Sequence, residues 1–150
     1  MKRKYFYLLI VLLGMISCSK DYQGDSFDFS NSTNPYIDLK VVKIAVSAPS
    51  ARDTTFSITV RLRTAISSAP TTVNYQLSGA LTGSGSVVID RNKTEGTKSG
   101  IIVPAGVIPS GSASATATVT LTSATNPNVK FDLGRVGTGN TATVTIKPKV

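Results

Sequence analysis

From residue 36 onward, apolar and polar residues alternate with the period of two that is typical of strands with one buried face. In the segment 55–63, four large apolar residues alternate with hydroxyl and arginine side chains. Together with shorter apolar runs, this pattern predicts strands at residues 55–63, 72–77, 86–89, 100–103, 112–121 and 141–147. No segment after Cys18 has the period of a helix.

The segment 36–46 is apolar in two phases, because Ile37 and Leu39 lie on one face of an extended chain whereas Ile44 and Val46 lie on the other. A one-residue slip turns every side chain to the opposite face. Either a bulge or a strand that leaves one sheet for another accounts for this change.

Seven strands within residues 36–150, separated by turn clusters, predict an all-β domain. The spacing favours an antiparallel two-sheet sandwich of immunoglobulin-like size, and a small closed barrel is the alternative. A domain of this length folds without disulfides or metal.

The first 17 residues have the pattern of a signal peptide. A basic cluster at residues 2–4 precedes an apolar run at residues 5–16. As a helix, that run is only about 18 Å long, too short for the roughly 30 Å of a bilayer core. A permanent transmembrane anchor is therefore the weaker interpretation.

The residues Met15-Ile16-Ser17-Cys18 resemble the lipobox of bacterial lipoproteins, in its looser Bacteroidota form. The resemblance implies cleavage before Cys18, lipidation of its thiol and attachment to the outer membrane. Lys20-Asp21 resembles a short export signal to the cell surface, and the periplasmic face is the alternative. An ordinary secreted protein cleaved near Ser17 is the competing interpretation of the leader.

Residues 18–35 are polar and predict a flexible tether between the lipid and the domain. Its extended length is at most about 60 Å. Phe27 and Phe29 alternate with polar residues, so this segment is also able to add a strand to the edge of the domain.

The composition excludes several kinds of chemistry. The chain has no His and a single Cys, which excludes Ser-His-Asp and Cys-His constellations, the usual zinc ligand sets and an internal disulfide. The net charge is +8, and removal of the three bases of the leader lowers it to +5. The remaining bases are scattered, so we expect neither nucleic-acid binding nor a cofactor.

Three segments, 102–106, 126–134 and 139–146, resemble the second half of a Calx-beta-like module, which is an immunoglobulin-type sandwich. Calcium-binding members of that family carry acidic residues after the last strand, whereas here Lys147-Pro148-Lys149 follow Ile146. Calcium prefers six to eight oxygen ligands with several carboxylates. We therefore expect no metal site.

Three residues are candidates for modification or binding. Asp53-Thr54-Thr55 resembles the short O-glycosylation signal of Bacteroidota, which implies glycosylation at Thr54. Arg61 and Arg63 lie on the outward face of their strand and are candidates to bind acids of a partner or a glycan.

The sequence thus predicts a lipid-anchored envelope protein whose β-sandwich is an interaction or structural module and not an enzyme. Its partners are the membrane and an envelope protein or glycan. The alternative is a glycan-binding accessory lipoprotein of a polysaccharide-uptake system. Only four aromatic residues follow Pro35, which counts against a platform for stacking sugars.

Overall fold

The computed structural model describes residues 35–63, 66–135 and 139–149. The predicted signal peptide, Cys18 and the tether up to residue 34 lie outside these ranges. The described residues form an all-β structure without helices. Its strands are β1 (Tyr36–Leu39), β2 (Lys43–Ala48), β3 (Thr54–Arg63), β4 (Thr71–Gly79), β5 (Gly83–Ile89), β6 (Glu95–Val103), β7 (Ala115–Thr125), β8 (Asp132–Leu133) and β9 (Thr141–Pro148).

The strands form two mixed sheets. One sheet has four strands in the order β6-β3-β1-β8, and the other has five in the order β2-β9-β7-β4-β5. Buried side chains from both sheets belong to one hydrophobic cluster, which includes Ile37 and Val60 of the first sheet and Val73 and Val144 of the second. The prediction of an all-β, sandwich-like domain is confirmed.

The predicted alternation matches the burial of the strands. All four apolar residues of the segment 55–63 are buried, as are Ala142, Val144 and Ile146 of β9. In β7, the small residues Ala115 and Ala117 are buried in the same row as the larger Val119 and Leu121. Two strand bounds differ from the predicted ones. β5 begins at Gly83 and β6 begins at Glu95, each earlier than predicted.

The phase change in segment 36–46 is a change of sheet. β1 lies in the four-stranded sheet and β2 in the five-stranded sheet. Val41 and Val42, in the connection between them, are about half exposed, at 52% and 49%. The strand therefore turns its apolar face from one layer to the other.

The purely antiparallel arrangement predicted from the sequence is wrong. β2 runs parallel to β9 from Lys43 opposite Thr143 to Ala48 opposite Pro148. β1 runs parallel to β8. Parallel pairs need long connections, and here almost the whole domain lies between β2 and β9, so local turn signals did not reveal the pairing.

A bulge interrupts the ladder between β3 and β6. Phe56 lies opposite Ile101 and Ile58 lies opposite Lys98, so two residues of β6 face one of β3. One of these two residues of β6 is Gly100, whose φ of 74° suits glycine. Lys98 lies opposite the buried Ile58, on the face of β6 that is directed toward the core. Its side chain is nevertheless exposed, because β6 is an edge strand.

Candidate functional site

The outer face of the four-stranded sheet carries an ion-pair cluster formed by Asp38, Arg61 and Arg63. Asp38 of β1 lies directly opposite Arg61 of β3. Arg61 donates from Nε to Asp38 Oδ1 and from Nη2 to Oδ2, both at 3.0 Å. Arg63 Nε donates to Asp38 Oδ2 at 3.2 Å. One carboxylate thus binds both arginines that the sequence singled out.

The cluster is partly shielded from water. The Asp38 side chain is 13% exposed and that of Arg61 is 26% exposed. The hydrogen bond to Asp38 raises the pKa of Arg61 above its ordinary value, although desolvation opposes the shift. Both carboxylate oxygens are engaged, so the cluster is built to hold β1 against β3.

A second ion pair lies near this cluster. Lys40 Nζ donates to Glu95 Oε2 at 2.8 Å and joins the end of β1 to the start of β6. Both side chains are well exposed. The pair adds little stability by itself.

Thr54 is the first residue of β3 and is half-buried. It lies opposite Val103, the last residue of β6. Its neighbour Asp53 accepts a hydrogen bond at 2.9 Å from the backbone N–H of Ala105, in the turn that follows β6. The predicted glycosylation at Thr54 stays a prediction, at a position on the rim of an open cleft lined by Ser47, Arg52, Asp53, Thr55 and Lys149.

A more apolar cleft of about 240 Å³ lies beside that rim. It is lined by Pro49, Pro104, Val107, Ile108, Pro109 and Pro148, among others. The four prolines come from three loops or strand ends that meet at one end of the sandwich. The residues of this cleft carry no charge, so it presents shape and apolar surface rather than reactive groups.

The opposite end of the sandwich is held by a polar network around Asn126. Its Nδ2 lies 2.9 Å from Ser67 Oγ and 2.8 Å from Thr71 Oγ1. Its Oδ1 accepts hydrogen bonds from the backbone N–H groups of Asn128 and Val129. Ser67 and Thr71 are the two buried polar residues among those described. The sequence did not reveal this role, because the contacts join loops more than 50 residues apart.

The outer face of the five-stranded sheet is uncharged across three adjacent strands, because β4, β5 and β7 contain no charged residue. Threonines of β7 and β9 lie opposite each other, at Thr116 and Thr145, Thr118 and Thr143, and Thr120 and Thr141. An open polar trough crosses this face and is lined by Asn74, Gln76, Ser84, Ser86 and Thr122, among others. The face is suited to hydrogen bonding with an uncharged partner.

Within the described residues, no group of three or more Cys, Asp or Glu side chains is placed to hold a metal ion. The same ranges contain no helix with the length and hydropathy of a membrane span. Cys18, the predicted lipidation site, lies outside the described residues.

Comparison of the chain with known protein families and with curated proteins finds no match in either set. The geometry and chemistry of the described residues are therefore the basis for assigning a function.

Proposed function

We propose that the protein is a lipid-anchored, non-catalytic module of the bacterial outer membrane that binds or spaces other components of the cell envelope. Its anchor is Cys18, its tether comprises residues 18–35, and its domain is an immunoglobulin-like sandwich. It lies at the cell surface, with the periplasmic face as the alternative.

The immunoglobulin-like assignment is supported by the strand order. β1, β3 and β6 correspond to strands A, B and E of that fold, and β9, β7, β4 and β5 to G, F, C and C′. The first strand of that fold is divided here between the two sheets. β1 pairs with β3 in one sheet, and β2 pairs with the last strand, β9, in the other. The resemblance of the C-terminal third to Calx-beta-like modules implies the same fold.

The observation that carries the proposed function is that the chain enters one end of the domain, whereas the apolar cleft and the cleft beside Thr54 lie at the other. Pro35 leads into β1 beside the C-terminal end of β3, whereas both clefts lie at the N-terminal end of β3. A tethered domain with this polarity presents its clefts away from the anchor. β3 has ten residues, so the two ends are about 30 Å apart.

The carboxylates support a non-catalytic role. Asp38 and Glu95 are in ion pairs, and Asp53 accepts a backbone hydrogen bond. Each of these groups stabilises a contact between strands or turns. General acid or base catalysis needs a carboxyl group directed toward a bound substrate.

A binding role is supported by β5, an edge strand of the five-stranded sheet that contacts Gly96 of β6 at Val88 and Ile89. Charged side chains and proline are two common devices that prevent an edge strand from pairing with another chain. β5 contains neither. By contrast, the edge strand β6 has the bulge at Gly100 and the exposed Lys98. We infer that a partner strand adds to β5.

Glycan binding is the second candidate, and the polar trough on the five-stranded sheet favours it. The aromatic residues do not, because Phe56, Tyr75 and Phe131 are buried and Tyr36 is half-buried. A glycan array separates the two candidates. Binding above background that Gln76→Ala abolishes would favour the glycan role over the protein-binding one.

Labelled palmitate tests the anchor. We expect the wild-type protein to incorporate the label and to sediment with membranes, and Cys18→Ala to lose both properties. The matched control is Ser17→Ala, which keeps a small residue before the cysteine and is expected to behave as wild type. A wild-type protein that incorporates no lipid would contradict the proposal.

Photo-crosslinking on intact cells tests the binding role. A crosslinking residue in place of Ser86, on the β5 edge strand, is expected to capture a defined neighbour. The same residue in place of Ser57, on the outer face of the other sheet, is the control and is expected to capture none. Equal capture at the two positions would contradict binding through β5.

A further inference from the structure

Three loops meet at the end of the sandwich where the chain enters, which we call the entry end. These loops are residues 66–70, 90–94 and 126–131. Asn92 N–H donates to Ser67 O at 2.8 Å, and Asn126 Nδ2 donates to Ser67 Oγ at 2.9 Å. Asp132 N–H donates to Pro35 O at 3.0 Å. The three loops and the point of chain entry are therefore held together as one surface.

The described entry end is basic and carries an exposed apolar residue. Arg91, Lys93 and Lys130 are exposed, and Asp90 is the one acidic residue in these three loops. Two more acids directly follow the loops: Glu95 is paired with Lys40, and Asp132 is half-buried. Ile66 is 62% exposed, the highest value among the large apolar residues described. Basic groups around an exposed aliphatic side chain are suited to an anionic lipid surface, because the bases neutralise headgroups while the apolar side chain enters the interface.

We propose that the entry end docks onto anionic lipid, so that the anchored domain stands on the membrane instead of moving freely on its tether. This inference rests on the proposed anchor at Cys18, because the tether joins the lipid to the entry end. An acyl chain combined with a basic patch is a known route to firm membrane attachment.

The opposite end provides a matched comparison. It also carries three bases, Arg52, Lys147 and Lys149, but the chain does not enter there. It therefore lies about 30 Å farther from the bilayer when the entry end is docked. Charge alone does not distinguish the two ends, whereas the point of chain entry does.

The chain contains no tryptophan, so one introduced tryptophan reports its own surroundings. The two variants are Ile66→Trp, at the entry end, and Ser110→Trp, in the apolar cleft at the opposite end. Each is made in the acylated full-length protein and reconstituted into vesicles. The vesicles contain brominated lipids, which quench fluorescence only at the bilayer. With acidic phospholipid, we expect at least threefold stronger quenching for Ile66→Trp than for Ser110→Trp.

Two controls test whether charge holds the entry end down. Quenching of the Ile66→Trp protein is expected to fall at least twofold in vesicles of neutral lipid and at high salt. The same loss is expected when Arg91→Gln, Lys93→Gln and Lys130→Gln are combined. Combined Arg52→Gln, Lys147→Gln and Lys149→Gln at the far end are expected to leave the quenching unchanged.

The outcomes separate this inference from the proposed anchor. A protein that is not acylated and does not bind vesicles would overturn the anchor, and the docking with it. Stable attachment with equal quenching at positions 66 and 110 would overturn only the docking. The tether carries Asp21, Asp25 and Asp28 against the single base Lys20. If it covers the entry end instead, the tryptophan at position 66 will be shielded in detergent and lipid alike, without quenching, which also overturns the docking.

Discussion

Asp38 and Arg61 lie directly opposite each other on β1 and β3, and two hydrogen bonds of 3.0 Å join the carboxylate to the guanidinium group. Arg63 donates to the same carboxylate. β1 has only four residues, so this pair adds a specific contact to the backbone ladder and to the buried Ile37 and Leu39.

We expect Asp38→Asn to lower the free energy of unfolding by about 1–2 kcal/mol, because one acceptor becomes a donor that faces a cation. Denaturant unfolding measures the change. The exposed Asp90→Asn is the control, with an expected effect within about 0.5 kcal/mol. A double-mutant cycle with Arg61→Gln is expected to give a coupling of about 1 kcal/mol, and independent effects would show that the pair is not stabilising.

The alternation of residues predicted the strand faces well, because burial of one face imposes a period of two. The slip in that period within residues 36–46 predicted either a bulge or a change of sheet, and the structure has the change of sheet. The parallel pairing of β2 with β9 was missed, because it depends on contacts between distant segments. The two-residue strand β8 is too short to carry a pattern.

The candidate site was predicted less completely. Arg61 and Arg63 were recognised as outward-facing, but their partner Asp38 requires the register between β1 and β3. The clefts are formed by loops and chain ends, whose relative positions follow from the whole fold. Asn126 had no distinguishing local signal, since its acceptors lie in a different loop.

Asn126→Ala is expected to destabilise the protein by about 2–3 kcal/mol, because it leaves the buried hydroxyls of Ser67 and Thr71 with fewer partners. The carboxamide also fixes the following turn through Asn128 N–H. Asn128→Ala is the matched control and is expected to cost about 0.5 kcal/mol or less. Equal thermal stabilities of the two variants would contradict a structural role for the Asn126 network.

Gly85 lies in β5 under the ring of Tyr75. A Cβ atom built at Gly85 would lie 2.6 Å from Tyr75 Oη and 2.8 Å from Cζ. The ring is 4% exposed and has little room to move. We expect Gly85→Ala to destabilise the protein by about 1–3 kcal/mol.

Ser86→Ala, on the outward face of the same strand, is the control for Gly85→Ala. Its effect is expected to lie within about 0.5 kcal/mol. Chemical denaturation of both variants provides the comparison. A Gly85→Ala protein as stable as wild type would show that the ring does not confine this position.

Burial raises the pKa of the Tyr75 hydroxyl above its ordinary value. The folded state therefore disfavours the ionised phenol. Below about pH 10 the group is neutral in both states and contributes no pH dependence; above it, ionisation in the unfolded chain lowers stability. We expect Tyr75→Phe to reduce the loss of stability between about pH 10 and pH 11.

Thermal unfolding across that pH range measures the effect. Tyr36→Phe removes the same hydroxyl from a half-buried tyrosine and serves as the control. Identical slopes for wild type and Tyr75→Phe would refute the assignment to Tyr75.

Mass spectrometry of the N-terminal peptide from the native protein tests the lipid anchor. We expect a mature chain that begins at Cys18 and carries a diacylglyceryl group on the thiol. A native chain that retains residues 1–17, or begins at Cys18 with an unmodified thiol, would contradict it.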